Sequence, residues 1–519
     1  MKKTVIFICL VLLSFNILLA ENKTLSPVID SSTGQIQGFY EDDIWKFYGI
    51  PYAKPPVDEL RWVAPQPKSW EDVLVADKFG PECPQILVSI FKRQEGVEDK
   101  EDCLYLNVWT KDLDGKKPVI FWIHGGGFEI GAGSWPKYDG TSLALQNSVI
   151  VTFNYRLGPF GFLAHPLLSE EASYGTSGNY GLLDQIAALE WVKDNIEKFG
   201  GDPENITVMG QSAGGISIAS MMVSPFAEGL FNKAIIMSGL IPFDIYPLKS
   251  ANQTSMEDIG VEFQKVLGIE DGDILEQMRD LDTSTIFEKF ETIKEQGLVR
   301  KHLCYDGYYF PEDPYQLFQE EKFQKVPTIV GGTQNEGSLF KLLFSMSKSE
   351  YYTYLDDSFE DDYDLAMKYY GNWLNYENAY SRIIGDFFMM NAEMLANYQA
   401  ENGSDVYRYN FKWYPLPFVL LDLKAYHSLD VPYALGNLSG ILYTDYDYEI
   451  SDMLQDYIIQ FIYGEDELKS NGIIWDKYSV TDKVLNIGWT IKNKKQPRQK
   501  YINLIFDNLY ELLENEAAY

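Results

Sequence analysis

Five short runs of this chain are apolar but for at most one threonine each: Val119–Ile123, Val149–Phe153, Ile206–Met209, Ala234–Met237 and Pro327–Val330. A strand with one face in water alternates polar and apolar residues. Runs that are apolar on both faces therefore predict strands of a sheet covered by helices on both sides. From Leu182 to Lys198, the residues Leu182, Ile186, Leu189, Val192 and Ile196 recur at helical spacing, and Gly200 and Gly201 end that helix. This alternation predicts an α/β fold, doubly wound around one central, mostly parallel sheet. No repeat of 20–50 residues and no Ser/Gly linker divides the chain, so a single large domain is expected. The acidic, tyrosine-rich stretch from Glu350 to Tyr380 shows the helical period only loosely and is expected to be a surface insertion.

With 46% hydrophobic and 23% charged residues over 519 positions, there is enough apolar surface for a large core, and disordered, collagenous and coiled-coil classes are excluded. The 43 Lys+Arg against 76 Asp+Glu give a formal net charge of −33. Such a field repels phosphate backbones and anionic lipid, which argues against a nucleic-acid or membrane-surface partner.

Lys2 and Lys3, the apolar run from Val5 to Leu19 and the small Ala20 read as a secretory signal peptide spanning residues 1–20. The run is shorter than the ~20 residues a spanning helix needs. The mature domain, 21–519, is expected to be soluble and extracellular. Cys9 leaves with the signal, and Cys83, Cys103 and Cys304 remain. An odd count in an exported chain implies one bridge and one leftover thiol. Cys83 and Cys103 are the nearest pair, and Cys304 is expected to behave as a small buried hydrophobe. Glycosylation sequons occur at Asn22, Asn205, Asn252, Asn402 and Asn437. Asn205 opens a predicted buried strand and is discounted, which leaves Asn22, Asn252, Asn402 and Asn437 as candidates.

The chemistry gathers around Gly210-Gln211-Ser212-Ala213-Gly214, which follows the run Ile206–Met209 and precedes an apolar helix, Gly215 to Val223. A pentapeptide G-x-S-x-G is weak alone, but between strand and helix it is the sharp turn that lifts a serine hydroxyl above a sheet edge. The helix N-terminus beneath it favours developing negative charge. His124-Gly125-Gly126-Gly127-Phe128 follows the run ending at Ile123. A glycine triplet at a strand end lets peptide N–H groups turn towards a ligand, which an acyl-transfer oxyanion requires. A phosphate cradle fits less well, because no Lys-Ser/Thr follows.

The chain has four His, so the search for a base is short. His124 belongs to the glycine loop and His165 precedes the serine. In a Ser, acid, His order the base is His427, in Ala425-Tyr426-His427-Ser428-Leu429-Asp430, with His302 as fallback. The acid should lie between serine and base at a strand end. Glu336, after Pro327–Val330 and within Gly331-Gly332-Thr333-Gln334-Asn335-Glu336-Gly337, meets that condition. No His/Cys cluster has metal-ligand spacing, and no metal or organic cofactor is expected.

Longer blocks make the chain resemble the type-B carboxylesterases, the cholinesterase/carboxylesterase group of α/β-hydrolases. These blocks are Phe47-Tyr48-Gly49-Ile50-Pro51-Tyr52-Ala53, Glu101-Asp102-Cys103-Leu104-Tyr105-Leu106-Asn107-Val108, Asn154-Tyr155-Arg156-Leu157-Gly158, Asn179-Tyr180-Gly181-Leu182-Leu183-Asp184-Gln185 and Phe199-Gly200-Gly201-Asp202-Pro203 leading into Gly210–Gly214. The resemblance covers essentially the mature chain. It implies the α/β-hydrolase fold with long surface insertions, and a serine esterase acting on a small-molecule carboxylic ester. It implies Ser212 as nucleophile, His427 as base and then acid, and Glu336 as the residue orienting the imidazole. It further implies oxyanion donors at the N–H groups of Gly126, Gly127 and Ala213, support of the triad by Ser238, and a Cys83–Cys103 bridge.

Two departures bear on substrate. Gln211 stands before the serine where the family more often has Glu. The loop between Cys83 and Cys103 holds no Trp, only Phe91 as an aromatic, whereas cholinesterases seat a quaternary ammonium on a Trp there. Choline esters are therefore not expected substrates. A lipase of the same family and a non-catalytic binding or adhesion protein are the alternative readings.

Overall fold

The computed structural model describes residues 24–87, 93–243, 245–299, 302–341, 346–371, 375–440, 443–496, 498–509 and 512. The expected signal peptide at 1–20, the sequon at Asn22 and Phe91 lie outside the described residues. A twelve-stranded sheet organises the chain. In chain order its strands are β1 (Thr24–Leu25), β2 (Phe39–Glu41), β3 (Ile44–Pro51), β4 (Tyr105–Thr110), β5 (Lys117–Ile123), β6 (Val149–Phe153), β7 (Gly201–Gln211), β8 (Lys233–Met237), β9 (Thr328–Thr333), β10 (Val406–Phe411), β11 (Val484–Ile487) and β12 (Lys492–Lys494). Their order across the sheet is β1-β2-β3-β4-β6-β5-β7-β8-β9-β10-β11-β12. Pairing is parallel from β6 through to β11, while β1–β4 and β12 add antiparallel edges.

All five apolar runs lie in the parallel block, buried on both faces, and successive side chains serve opposite layers. Val119, Phe121 and Ile123 of β5 pack into one core with the helices Tyr180–Asn195, Ala213–Val223 and Tyr376–Glu401. Ile120 and Trp122 pack into the other with the helix Asp445–Tyr463. A third, smaller cluster joins Trp62, Phe160 and Cys304 to the helices Met256–Val266 and Thr283–Glu295.

One expectation is corrected. The stretch from Glu350 to Tyr380 is not a surface insertion: it forms the helices Lys348–Phe359 and Tyr363–Tyr370 and enters Tyr376–Glu401. Its Tyr351, Leu355, Phe359, Ala366 and Tyr370 are buried in the same core as the sheet. The apolar stripe is built partly of tyrosines, whose rings pack while their hydroxyls find acceptors, Tyr351 on the Tyr370 carbonyl and Tyr370 on Asp386. A tyrosine stripe does not read as apolar in the sequence.

Cys83 and Cys103 are disulfide-bonded. Cys304 is fully buried, and burial pushes its thiol well above the ordinary range. Asn205 is spent on the Ile462 carbonyl and on Lys233. Asn402 and Asn437 likewise donate their amides to backbone carbonyls, whereas Asn252 is exposed. Among the described residues no helix is long and apolar enough to cross a membrane.

Candidate active site

Strand β7 ends at Gln211 and the helix begins at Ala213, so Ser212 alone makes the turn. Its backbone lies at φ 56°, ψ −124°, a region that costs a non-glycine residue about 1–3 kcal/mol. Two neighbours must be glycine for the turn to close. A Cβ on Gly214 would sit 2.0 Å from the Ile123 carbonyl oxygen, and one on Gly210 would sit 2.7 Å from the Gly214 backbone. The Ser212 N–H is held by the Met237 carbonyl of β8, at 2.9 Å.

The glycine loop leaves β5 beside this turn. A Cβ on Gly125 would stand 2.4 Å from the Gln211 carbonyl oxygen, which measures how closely loop and elbow pack. Gly126 at φ 121° and Gly127 at φ 64° reverse the chain, and the Gly126 carbonyl accepts from the N–H groups of Glu129 and Ile130. Among the described residues no acceptor faces the N–H of Gly126 or Gly127. Ala213, as the first residue of its helix, has an N–H without a partner one turn back. His124 stacks on Tyr155 with centroids 4.3 Å apart, and its Nδ1 lies 3.0 Å from the Gly125 carbonyl. Burial pulls its imidazole down to about 4, so it is neutral at physiological pH. Gln85, in the disulfide loop, bonds the N–H and the carbonyl of Gly131 and ties that loop to the glycine turn.

Glu336 and His427 come from loops 91 residues apart. A bridge between Asn335 and Tyr426, with the Asn335 N–H on the Ala425 carbonyl, lays the two loops side by side. Glu336 is fully buried. Its Oε1 accepts from Ser238 Oγ and from the Thr333 N–H, each at 2.6 Å, and its Oε2 lies 2.6 Å from His427 Nδ1. With Nδ1–H given to the carboxylate, the lone pair of neutral His427 is on Nε2. That atom accepts the amide N–H of Gln211, 3.0 Å away and next to Ser212. The rings of Phe340 and Phe388 stand 5.2 Å from the imidazole and shield it from water.

The fallback base does not share this setting. His302 Nε2 pairs with Glu129 Oε1 at 3.0 Å, and Lys294 Nζ completes the cluster at 2.6 Å. His165 is spent capping the helix Pro166–Glu171. One group near the site escaped the sequence reading. Asp430 is buried three residues beyond His427, accepts from Tyr409 OH at 2.6 Å, and leaves Oδ1 without a donor among the described residues. Burial first, then the charge of Glu336, pushes its carboxyl up to about 7. Its nearness to His427 in sequence was the available signal, but an acid in an acidic chain carries no mark of burial.

The Carboxylesterase family model matches residues 25–505. Para-nitrobenzyl esterase of Bacillus subtilis is 38% identical over 440 residues, covering 80% of this chain and 84% of that protein. Carboxylesterase 5A of Canis lupus familiaris is 31% identical over 513 residues, covering 91% of this chain and 86% of that protein. Among solved structures, a PNB esterase superposes with a TM-score of 0.79 at 32% identity, covering 92% of this chain and 99% of the other. A Geobacillus stearothermophilus carboxylesterase gives 0.80 at 29% identity, covering 92% and 100%. With the mostly parallel sheet, the serine elbow and the glycine loop in place, the chain belongs to the carboxylesterase family of ester hydrolases and has the α/β-hydrolase fold.

Proposed function

We propose that the chain hydrolyses carboxylic esters of small molecules in two steps through an acyl-enzyme on Ser212. The observation that carries this reading is the buried Glu336–His427 pair, whose geometry leaves the lone pair of Nε2 facing the residues of the serine elbow. His427 Nε2 takes the hydroxyl proton as Ser212 Oγ attacks the ester carbonyl, and the Gln211 amide gives up its place on that nitrogen. The imidazolium keeps its Nδ1–H on Glu336, which Ser238 and the Thr333 N–H hold in one orientation. The carbonyl oxygen becomes an oxyanion received by the N–H groups of Gly126, Gly127 and Ala213. Collapse of the tetrahedral adduct releases the alcohol, which takes the proton from Nε2. Water then enters, is deprotonated by the same nitrogen, and frees the carboxylic acid.

The chain is further proposed to be exported, with removal of residues 1–20 and with Asn252 as the glycan acceptor best placed by its exposure. N-terminal sequencing of protein secreted from a eukaryotic host should begin near Glu21. Labelling with a fluorophosphonate tests the catalytic reading. The wild-type chain should be labelled on Ser212, and Ser212→Ala should abolish labelling and lower kcat/KM by several orders of magnitude while the protein stays folded. Folded wild-type protein that takes no label would favour the binding-protein reading instead.

A further inference from the structure

A second recess lies on the same edge of the sheet as Ser212, where β10 and β11 end. Lys412, Trp413 and Tyr414 follow β10, Gly488 and Trp489 follow β11, and Lys492 and Lys494 stand on the edge strand β12. From β7 to β11 is four inter-strand steps, roughly 19 Å at the usual strand spacing, so this recess is separate from the serine elbow. The ends of parallel strands are where open α/β sheets bind ligands. The floor is fixed: the N–H groups of Lys412 and Trp413 both donate to the Ile487 carbonyl, and Tyr446 OH donates to that of Gly488.

In a chain of net charge −33, Lys412, Lys492 and Lys494 have no carboxylate within ion-pair distance among the described residues. The charged groups that act on Lys412 are Lys494 and Arg498, both positive, and burial with their repulsion pulls its ammonium down. Among the described residues the one carboxylate bonded to the wall, Asp447, is taken by the Trp413 indole N–H, Tyr433 and Thr444. Trp489 is 82% exposed, yet it is held edge-on to Trp413 with centroids 4.6 Å apart. An indole so open and so fixed offers a ring face to a ligand. Asn486 lines the base at 4% exposure, and its Oδ1 has no donor among the described residues. Lysines on an edge strand also prevent sheet-to-sheet pairing. That role explains neither Lys412, which is off the edge, nor the aromatic wall.

We infer that this recess binds a small ring-bearing organic acid: the acid group pairs with Lys412 and Lys494, and the ring lies on Trp489. The cavity measures about 210 Å³, under the ~300 Å³ at which drug-sized pockets begin, so the ligand is one ring and its substituents.

The test is calorimetric titration of the mature protein with 4-hydroxybenzoate at low salt, with acetate (no ring) and phenol (no charge) as comparators. Saturable binding of 4-hydroxybenzoate, at least tenfold tighter than either comparator, is expected. Lys412→Gln with Lys494→Gln, and separately Trp489→Ala, should each weaken it at least tenfold with the thermal midpoint retained. These side chains are open or half-open, so their loss should not unfold the chain. Binding that survives the lysine pair, phenol binding as tightly as the acid, or no saturable binding of 4-hydroxybenzoate to the wild-type chain would overturn the inference.

Discussion

Replacing Gln211 by Glu puts a carboxylate where an amide now donates to His427 Nε2 at 3.0 Å. Two unit charges about 4 Å apart interact by ~4 kcal/mol at the effective dielectric of ~20 suited to protein sites. At ~1.36 kcal/mol per pH unit this amounts to ~3 units on the imidazole. Two effects reduce it. Gln211 is only 3% exposed, so the new carboxylate resists ionisation, and Glu336 already holds the other side of the ring. A net displacement of about 1–3 pH units is therefore expected. The sign follows from the mechanism. In the proposed mechanism His427 must be neutral to accept the Ser212 proton, and a second carboxylate favours the imidazolium, so the acid limb of kcat/KM should move to higher pH. Below the displaced limb the rate falls tenfold per pH unit, and well above it the variant recovers towards wild type. The assay is a kcat/KM profile for a neutral ester, with Gln211→Met as the companion that removes the amide without adding charge. A Gln211→Glu limb that coincides with that of Gln211→Met would refute the reasoning that a charge at this position acts on the base.

Other consequences are independent of that one. Ser238→Ala removes one of the two donors on Glu336 Oε1 and leaves a buried carboxylate under-bonded, at a cost of about 1.5–3 kcal/mol for a hydrogen bond to a charged group; urea unfolding should read that loss, with kcat/KM reduced about tenfold. Gly214→Ala drives a Cβ to 2.0 Å from the Ile123 carbonyl oxygen, so it should abolish fluorophosphonate labelling and lower the thermal midpoint. Cys103→Ser opens the disulfide-closed loop of sequence separation 20 and should cost about 3 kcal/mol in denaturant titration. Glu129→Gln breaks the pairs with His302 and Lys294. Burial raises the Glu129 carboxyl, but those two partners outweigh it and hold it down to about 2. A carboxyl depressed in the folded state stabilises above its unfolded range and loses that contribution as pH falls towards 2. The difference in midpoint between wild type and variant should thus narrow on acidification, and it should stay within about 1 kcal/mol because Glu129 is partly in solvent.

Part of the parallel block was legible because strands buried on both faces are mostly apolar on both, and β5, β6 and β8 coincide closely with the runs that predicted them. The helix Tyr180–Asn195 was legible for the same reason, its apolar residues recurring at the helical period. The antiparallel strands β1 and β2 were not, because strands of two or three residues near a sheet edge carry too short and too mixed a pattern. The tyrosine-rich helices after Lys348 were not, because ring burial with a bonded hydroxyl looks polar on paper.

At the site, the sequence by itself determined the residue types and their order. Gly210, Ser212 and Gly214 at a strand–helix junction admit one sharp turn, since only glycine fits the contacts on either side. A triplet of glycines after β5 admits a loop with its N–H groups free, and the Ser, acid, His order singled out Glu336 and His427. What only the tertiary structure decided are relations between segments far apart in the chain. It decided which face of His427 meets Gln211, that the Thr333 N–H joins Ser238 on the carboxylate, and that Asp430 is buried. It also drew Lys412, Trp489 and Lys494 into one recess. Such distances depend on which strands are neighbours in the sheet, and strand order is set by the packing of two helical layers onto it, a long-range balance that local periodicity does not contain.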